Sequence, residues 1–154
     1  MTAGREVLLD ANVLLSLHDT GTKPLPADVA ARFEALLDDD ETELFITPLI
    51  RYEVLRGIDW GDDERYGTMK AALDALTELD VTREASELAA ELFRLYVAEH
   101  VDEPGINVDK RRFDAFHFSV AKIRGMELAS RDRHMRSLDA LYARLMPERG
   151  QGKA

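Results

Sequence analysis

The sequence contains no cysteine among its 154 residues. This absence excludes disulfide bonds, thiolate metal sites and a cysteine nucleophile, so any bound metal must be held by oxygen or imidazole ligands. Long apolar runs are absent as well, since no stretch approaches the roughly 20 consecutive residues that span a bilayer. The first residues also lack the charged and apolar segments of a secretion signal. We therefore expect a cytoplasmic protein with no membrane contact.

Basic residues are scarce over most of the chain, and the formal net charge is −10. Residues 1–109 carry 9 basic and 25 acidic side chains, whereas residues 110–154 carry 11 basic and 5 acidic ones. The overall charge argues against a nucleic-acid partner, yet the basic end could contact a polyanion. A solvated helical surface explains the same composition. The candidate phosphate contacts are Lys110, Arg111, Arg112, Arg131 and Arg133.

Short apolar runs alternate with helical patterns along the chain. Strand-like runs occupy residues 7–10, 44–47, 79–81 and 126–129, and apolar spacings of three and four predict helices between them. Strands that alternate with helices predict an α/β fold with a central parallel sheet, here of four to five short strands flanked by helices. The 45% hydrophobic content suffices for one core. We expect one domain over residues 1–147 and a flexible tail over residues 148–154.

Local signals fix several helix ends. Thr47 followed by Pro48 predicts the start of a helix that ends near Arg56, and Thr82 predicts the start of another. Apolar spacing predicts a helix over residues 27–38. Residues 113–123 are apolar on nearly every side, which is typical of a helix packed on several faces.

Four acidic residues follow the predicted strands or lie on the helices after them. Ligands of open parallel sheets bind beyond the carboxyl ends of the strands, so these acids are the candidates for chemistry. Asp10 ends the first strand, and its carboxylate must be satisfied by helix amides, by Asn12 or by a cation. The other three are Glu53, Asp114 and Asp132.

Each of these acids also has a purely structural explanation. Asp114 opens the predicted helix over residues 113–123 and could be a capping or first-turn acid. Glu53 lies between two arginines, where a solvent-exposed acid would be unremarkable. If the acids do meet, two carboxylates about 4 Å apart repel by roughly 4 kcal/mol at an effective dielectric of about 20. A hard divalent cation such as Mg²⁺ or Mn²⁺ relieves that repulsion and suits phosphodiester hydrolysis.

Four segments in this order resemble PIN-domain nucleases, and together they extend over nearly the whole chain. The segments are Leu-Leu-Asp-Ala-Asn-Val-Leu-Leu at 8–15, Tyr-Glu-Val-Leu-Arg-Gly at 52–57, Phe-Asp-Ala-Phe at 113–116 and Leu-Ala-Ser-Arg-Asp at 128–132. The resemblance implies a PIN-like fold and a catalytic set of acids. It makes Asp10, Asp114 and Asp132 metal ligands, with Glu53 as the fourth catalytic acid. Asn12 and Ser130 match positions that support the site.

Length and domain organisation are similar to those of VapC toxins. This resemblance implies an RNA substrate, contacted by the basic residues named above, and Mg²⁺ or Mn²⁺ as cofactor. It also implies a homodimer and inhibition by a small VapB-like antitoxin whose tail enters the acidic groove. The predicted activity is that of an endoribonuclease, the toxin of a type II toxin-antitoxin system.

Two further residues and two other functions stay open. His117 lies one turn after Asp114, where a packed or surface histidine is the alternative to a ligand. Asp109 is a fifth acid or, as we prefer, a helix N-cap. A phosphatase of the haloacid dehalogenase type needs an acid where this chain has Asn12. A non-catalytic PIN-fold module that binds RNA or protein is the remaining alternative.

Overall fold

A computed structural model describes the backbone of residues 4–18, 27–100, 108–130 and 134–151. The chain forms two compact units. The first unit comprises Met1–Asp80 with Gly125–Arg131, and the second comprises Val81–Arg124 with Asp132–Ala154. The sequence-based domain over residues 1–147 remains a prediction.

The first unit contains a four-stranded parallel sheet, which confirms the predicted α/β class. Its strands are β1 (Arg5–Leu9), β2 (Thr42–Ile46), β3 (Thr77–Glu78) and β4 (Glu127–Ala129), in the order β3-β2-β1-β4. β1 pairs with β2 and with β4 in parallel register. Because β1 is an interior strand, its residues Val7, Leu8 and Leu9 are fully buried, which accounts for their continuous apolar run.

Within its described residues, the first unit has four helices. They are α1 (Ala11–His18), α2 (Ala27–Asp38), α3 (Pro48–Arg56) and α4 (Asp63–Asp74). The predicted bounds of α2 and α3 are confirmed. Thr47 caps α3, because its hydroxyl accepts a hydrogen bond of 3.2 Å from the Ile50 amide, and Pro48 occupies the first helical position.

The second unit contains α5 (Arg83–Glu99), α6 (Val108–Arg124) and α7 (His134–Gln151), which pack on one another. Thr82 caps α5 as predicted, accepting from the Ala85 amide at 3.1 Å. The backbone of α7 enters the segment 148–154, and residues 152–154 lie outside the described part of the chain. The flexible tail therefore stays a prediction. Across the described ranges, every helix is too short or too polar to cross a bilayer.

The structure corrects the start of α6. This helix begins at Val108, five residues before the predicted start, because charged residues 109–112 extend it without contributing to the apolar pattern. Asp109 therefore lies within the first turn of α6 and is not its N-cap. Asp114 lies in the second turn, so the interpretation of Asp114 as a capping or first-turn acid is wrong.

The predicted strand over residues 79–81 is also wrong. β3 comprises Thr77 and Glu78, both exposed, and the Leu79 amide adds one more hydrogen bond of 2.8 Å to the Ile46 carbonyl. The apolar residues Leu79 and Val81, on which the prediction depended, follow the paired residues of this edge strand. An edge strand of two residues carries too little apolar pattern to be located by periodicity.

Candidate functional site

Asp10 lies between the central strand and the first helix, and it belongs to both. Its amide donates to the Ala129 carbonyl at 3.0 Å, which continues the pairing of β1 with β4. Its own carbonyl accepts from the Val13 amide at 3.1 Å, which begins α1. The residue is only 2% exposed. The backbone therefore places a carboxylate inside the protein, at the carboxyl end of the sheet and the amino end of a helix.

Both carboxylate oxygens of Asp10 accept hydrogen bonds. The Ala11 amide donates to Oδ1 at 2.7 Å, and the Ser130 hydroxyl donates to Oδ2 at 2.8 Å. The Asn12 side chain in turn donates from Nδ2 to the Ser130 oxygen at 3.4 Å. Asn12 thus acts on Asp10 through Ser130, since a hydroxyl that accepts from Asn12 is left to donate to the carboxylate.

Parallel pairing explains why these side chains meet although they are distant in sequence. Leu9 is opposite Ala129 in the register of β1 with β4, so the next residues, Asp10 and Ser130, leave the sheet at the same edge. This is the edge at which ligands of parallel sheets bind.

Glu53 also reaches this edge of the first unit. It lies on α3, which packs against α1, and one of its carboxylate oxygens lies within 4.8 Å of an oxygen of Asp10. The residue is half-buried. The alternative that Glu53 is a solvent-exposed acid between two arginines is therefore wrong.

The pair of Asp10 and Glu53 has the chemistry of a hard-cation site. Two charged carboxylates within 4.8 Å repel by roughly 3 kcal/mol at an effective dielectric of about 20. The Ala11 amide and the amino end of α1 offset part of that repulsion. Oxygen donors of this kind, without sulfur, suit Mg²⁺ or Mn²⁺. The residues present therefore fit a divalent cation.

Asp114 is buried in the second unit, with 3% exposure. It lies on α6, and the Nη1 atom of Arg111 lies 3.6 Å from its Oδ2 atom. Arg111 is itself only a quarter exposed, so the pair is an i,i+3 ion pair at low solvent access. The sequence spacing could have indicated this pair, which our sequence analysis missed.

His117 follows Asp114 by one turn of α6 and is completely buried. The surface-histidine alternative is therefore excluded. Arg112 is exposed, and its guanidinium carbon lies 5.8 Å from the centre of the Phe93 ring. Arg112 thus presents a cation at the surface of the second unit.

Asp132, Arg131 and Arg133 lie outside the described residues, and so do the side chains of Asp109 and Lys110. The roles assigned to Asp132, Arg131, Arg133 and Lys110 remain predictions.

Comparison with known proteins identifies the family to which the fold corresponds. The model of the PIN domain family matches residues 7–141, which is most of the chain. No curated protein sequence matches the chain at a significant level.

Solved structures with this fold come from several bacteria. VapBC2 from Rickettsia felis, bound to a DNA fragment from its promoter, is 15% identical with a TM-score of 0.61, and the match covers 86% of this chain and 92% of that one. A toxin-antitoxin complex from Klebsiella pneumoniae is 17% identical with a TM-score of 0.56, covering 82% and 86%. VapC20 of Mycobacterium tuberculosis, a toxin that cleaves the sarcin-ricin loop, is 16% identical with a TM-score of 0.60, covering 85% and 93%.

Proposed function

Because this chain belongs to the PIN domain family, we propose that it is an endoribonuclease that hydrolyses RNA phosphodiester bonds with the help of a divalent cation. The observation that carries the proposal is the carboxylate pair at the edge of the sheet. Asp10 is buried, held by two donors and within 4.8 Å of Glu53. The proposed catalytic acids are Asp10, Glu53, Asp114 and Asp132.

The hydrogen bonds around Asp10 fix the direction of its carboxylate. Each carboxylate oxygen has two lone pairs, and the Ala11 amide and the Ser130 hydroxyl occupy one on each oxygen. These two hydrogen bonds present the Asp10 carboxylate to a ligand in a fixed orientation. Ser130 and Asn12 are therefore positioning residues, which hold Asp10 without contacting the reacting atoms.

We assign the cation, Mg²⁺ or Mn²⁺, to Asp10, Asp114 and Asp132, with Glu53 as the neighbouring acid. When bound, such an ion activates water and offsets negative charge on the phosphate. The assignment of Asp10 rests on its geometry. That of Asp114 rests on its burial and on the family motif, and that of Asp132 rests on the motif alone.

RNA contacts are proposed for the basic residues at and after the start of α6. Arg112 is exposed and offers a cation to a phosphate. Arg111 is engaged with Asp114, so its first effect is on that carboxylate. The complete proposed set is Lys110, Arg111, Arg112, Arg131 and Arg133.

We further propose that the protein is the toxin of a type II toxin-antitoxin system. Solved structures with the same fold include VapBC2, a toxin-antitoxin complex and a VapC toxin, which supports this role. A VapB-like antitoxin is the expected partner, and a homodimer is the expected assembly. The negative charge of residues 1–109 suits a basic segment of such a partner.

The test is cleavage of single-stranded RNA by the purified protein with Mn²⁺. We expect endonucleolytic products, and Asp10→Asn should lower the rate by about 100-fold or more because it removes a charge that binds the cation. Asp28→Asn is the matched control, since it removes an exposed acid from α2. It should retain full activity.

Activity of Asp10→Asn equal to that of the parent would refute the nuclease assignment. A parent protein that binds the same RNA with Mn²⁺ and leaves it intact would instead identify a non-catalytic module. Circular dichroism of both variants separates loss of chemistry from loss of the fold.

A further inference from the structure

Trp60 lies on an ordered turn between α3 and α4 with its side chain in solvent. The turn comprises residues 59–62, and the Asp62 amide closes it by donating to the Asp59 carbonyl at 3.0 Å. Asp62 also caps α4, because its carboxylate accepts from the Arg65 amide at 3.1 Å. Trp60 is nevertheless 99% exposed. The turn thus orders the backbone at Trp60 and leaves almost the whole side chain in solvent.

Such exposure is unusual for tryptophan. Trp is highly buried on average in folded proteins, and it is enriched with Tyr and Arg among the residues that dominate protein interfaces. Nothing in the local fold requires Trp60, because the turn and the cap are formed by backbone atoms and by Asp62. The indole therefore has no structural task that its position explains.

A pocket of about 700 Å³ adjoins this side chain. Its lining includes the apolar side chains of Leu55 and Ile58, and Tyr66 contributes a second, half-exposed ring. Tyr52 adds a third exposed ring nearby in sequence, beneath the guanidinium of Arg56 at 5.4 Å from the ring centre. The residues that line the pocket, called here the Trp60 pocket, are Leu55, Arg56, Ile58, Asp59, Trp60, Gly61, Asp63 and Tyr66.

Charge around the Trp60 pocket selects the class of ligand. Asp59 and Asp63 line it, and Asp62 and Glu64 adjoin them in sequence. Among the described lining residues, Arg56 is the one basic side chain. Phosphate groups are repelled by such a surface, whereas a cation gains from the carboxylates. Indole and phenol faces also attract arginine and lysine. The apolar lining residues Leu55 and Ile58 favour an aliphatic side chain beside the cation.

We infer that the Trp60 pocket docks a polypeptide segment of a partner protein that presents arginine or lysine beside aliphatic residues. The cation lies over Trp60 and Tyr66 and pairs with Asp59 or Asp63. The aliphatic neighbour covers Leu55 and Ile58. This inference rests on the pocket alone and does not depend on the proposed ribonuclease activity.

The experiment uses the fact that Trp60 is the single tryptophan of the chain. Intrinsic fluorescence therefore reports on this side chain alone. The probes are a short capped peptide of alternating arginine and leucine, the same peptide with glutamate for arginine, and single-stranded oligouridylate. We expect the arginine peptide to shift the emission to shorter wavelength in a saturable way. The other two probes should leave the emission unchanged.

Paired variants separate docking from attraction to a negatively charged protein. Asp59→Asn combined with Asp63→Asn should weaken binding of the arginine peptide by about tenfold. The control combines Asp28→Asn with Glu34→Gln, which removes the same charge from exposed positions of α2. It should leave the affinity unchanged. Trp60→Ala, followed by anisotropy of a labelled peptide, should also weaken binding by about tenfold.

Three results would each overturn the inference. The first is an emission that does not change on addition of the arginine peptide. The second is an equal loss of affinity in the two charge-matched double variants, which indicates nonspecific attraction. The third is saturable binding of oligouridylate or of the glutamate peptide, which assigns the pocket to another ligand class.

Discussion

The carboxyl end of β1 and the turn at Trp60 are opposites within the first unit. At β1 a carboxylate is almost fully buried, and at the turn an indole is almost fully exposed. Both arrangements reverse the usual sorting of apolar residues inside and charged residues outside. Burial of the Asp10 carboxylate lowers stability unless hydrogen bonds or a ligand compensate for it, whereas the exposed indole adds little to stability. The candidate sites of this chain therefore lie where a charged side chain is buried or a large aromatic side chain is exposed. In both places local hydrogen bonds order the backbone that carries the side chain.

The largest expected difference is in stability, between replacing a buried apolar side chain and replacing the exposed Trp60. Ile50 is fully buried in α3, so Ile50→Ala should lower the free energy of unfolding by about 2–5 kcal/mol. Trp60→Ala removes a larger side chain but no buried contact, and its effect should stay within about 0.5 kcal/mol. Urea denaturation measures both. If Trp60→Ala lowers the free energy of unfolding by more than about 2 kcal/mol, the indole is packed against the protein and is not exposed. That result would contradict the contrast drawn between Trp60 and Asp10.

The next effect concerns the divalent cation proposed to bind at Asp10. Mn²⁺ at about 100 times its dissociation constant should stabilise the parent by about 2.7 kcal/mol. Asp10→Asn should lose that gain, and its metal-free form should be at least as stable as the parent because repulsion from Glu53 is relieved. Thermal melts with Mn²⁺ and with a chelator test this, with Asp28→Asn as control. Equal stabilisation of parent and Asp10→Asn by Mn²⁺ would place the ion elsewhere.

A smaller effect is expected where the orientation of Asp10 is disturbed and its charge is kept. Ser130→Ala removes the donor to Oδ2, and the RNA-cleavage rate should fall by about tenfold. Ser130→Thr keeps a hydroxyl and should restore most of the rate. Since the serine holds the carboxylate, the Mn²⁺ concentration needed for half-maximal activity should rise in Ser130→Ala. A lower rate with no change in Mn²⁺ dependence would contradict the positioning role.

The smallest expected effect on stability involves charged side chains near the protein surface. Arg51 donates to Asp74 at 2.7 Å and to Glu78 at 2.8 Å, and the hydrogen bond from Arg51, followed by that from Lys70, lowers the pKa of Asp74 below its ordinary value of 3.8. A lowered carboxyl pKa stabilises the fold above pH 3.8, and that stabilisation is lost as the pH falls through the lowered value. Arg51→Met should therefore destabilise the protein at neutral pH.

The difference between the parent and Arg51→Met should shrink as the pH falls below 3.8, because Asp74 becomes protonated in both. Melting temperatures across this range measure it. Arg83→Met is the control, since Arg83 is exposed and has no ion pair among the residues described. A constant difference between parent and Arg51→Met at every pH would show that Arg51 acts by packing.

Local chemistry made much of the fold predictable from the sequence. The helix caps Thr47 and Thr82 can be recognised from the residue type itself. The apolar run of β1 can likewise be recognised without knowing which strands it pairs with. The resemblance to PIN-domain nucleases is confirmed by the family model, which matches residues 7–141. These features depend on short stretches of chain, so a single sequence is enough to indicate them.

Features set by tertiary structure were harder to predict. The start of α6 was missed because charged residues form its first turn, and β3 was misplaced because its partner β2 defines it. The sequence suggested that Asp10 and Glu53 meet, but only packing of α1 on α3 brings their oxygens within 4.8 Å. The sequence gives no sign that Trp60 is exposed, because a single tryptophan is expected to be buried in the core.

The pairing of β1 with β4 has a consequence for the growing polypeptide on the ribosome. Asp10 is synthesised 120 residues before Ser130, the side chain that orients it. Until β4 has emerged and docked, the edge strand is missing and the carboxylate has no hydroxyl to hold it. An unfinished chain therefore cannot carry the completed centre. If the enzyme cuts RNA, its own messenger and the translating ribosome meet the active form only after nearly all of it has been made.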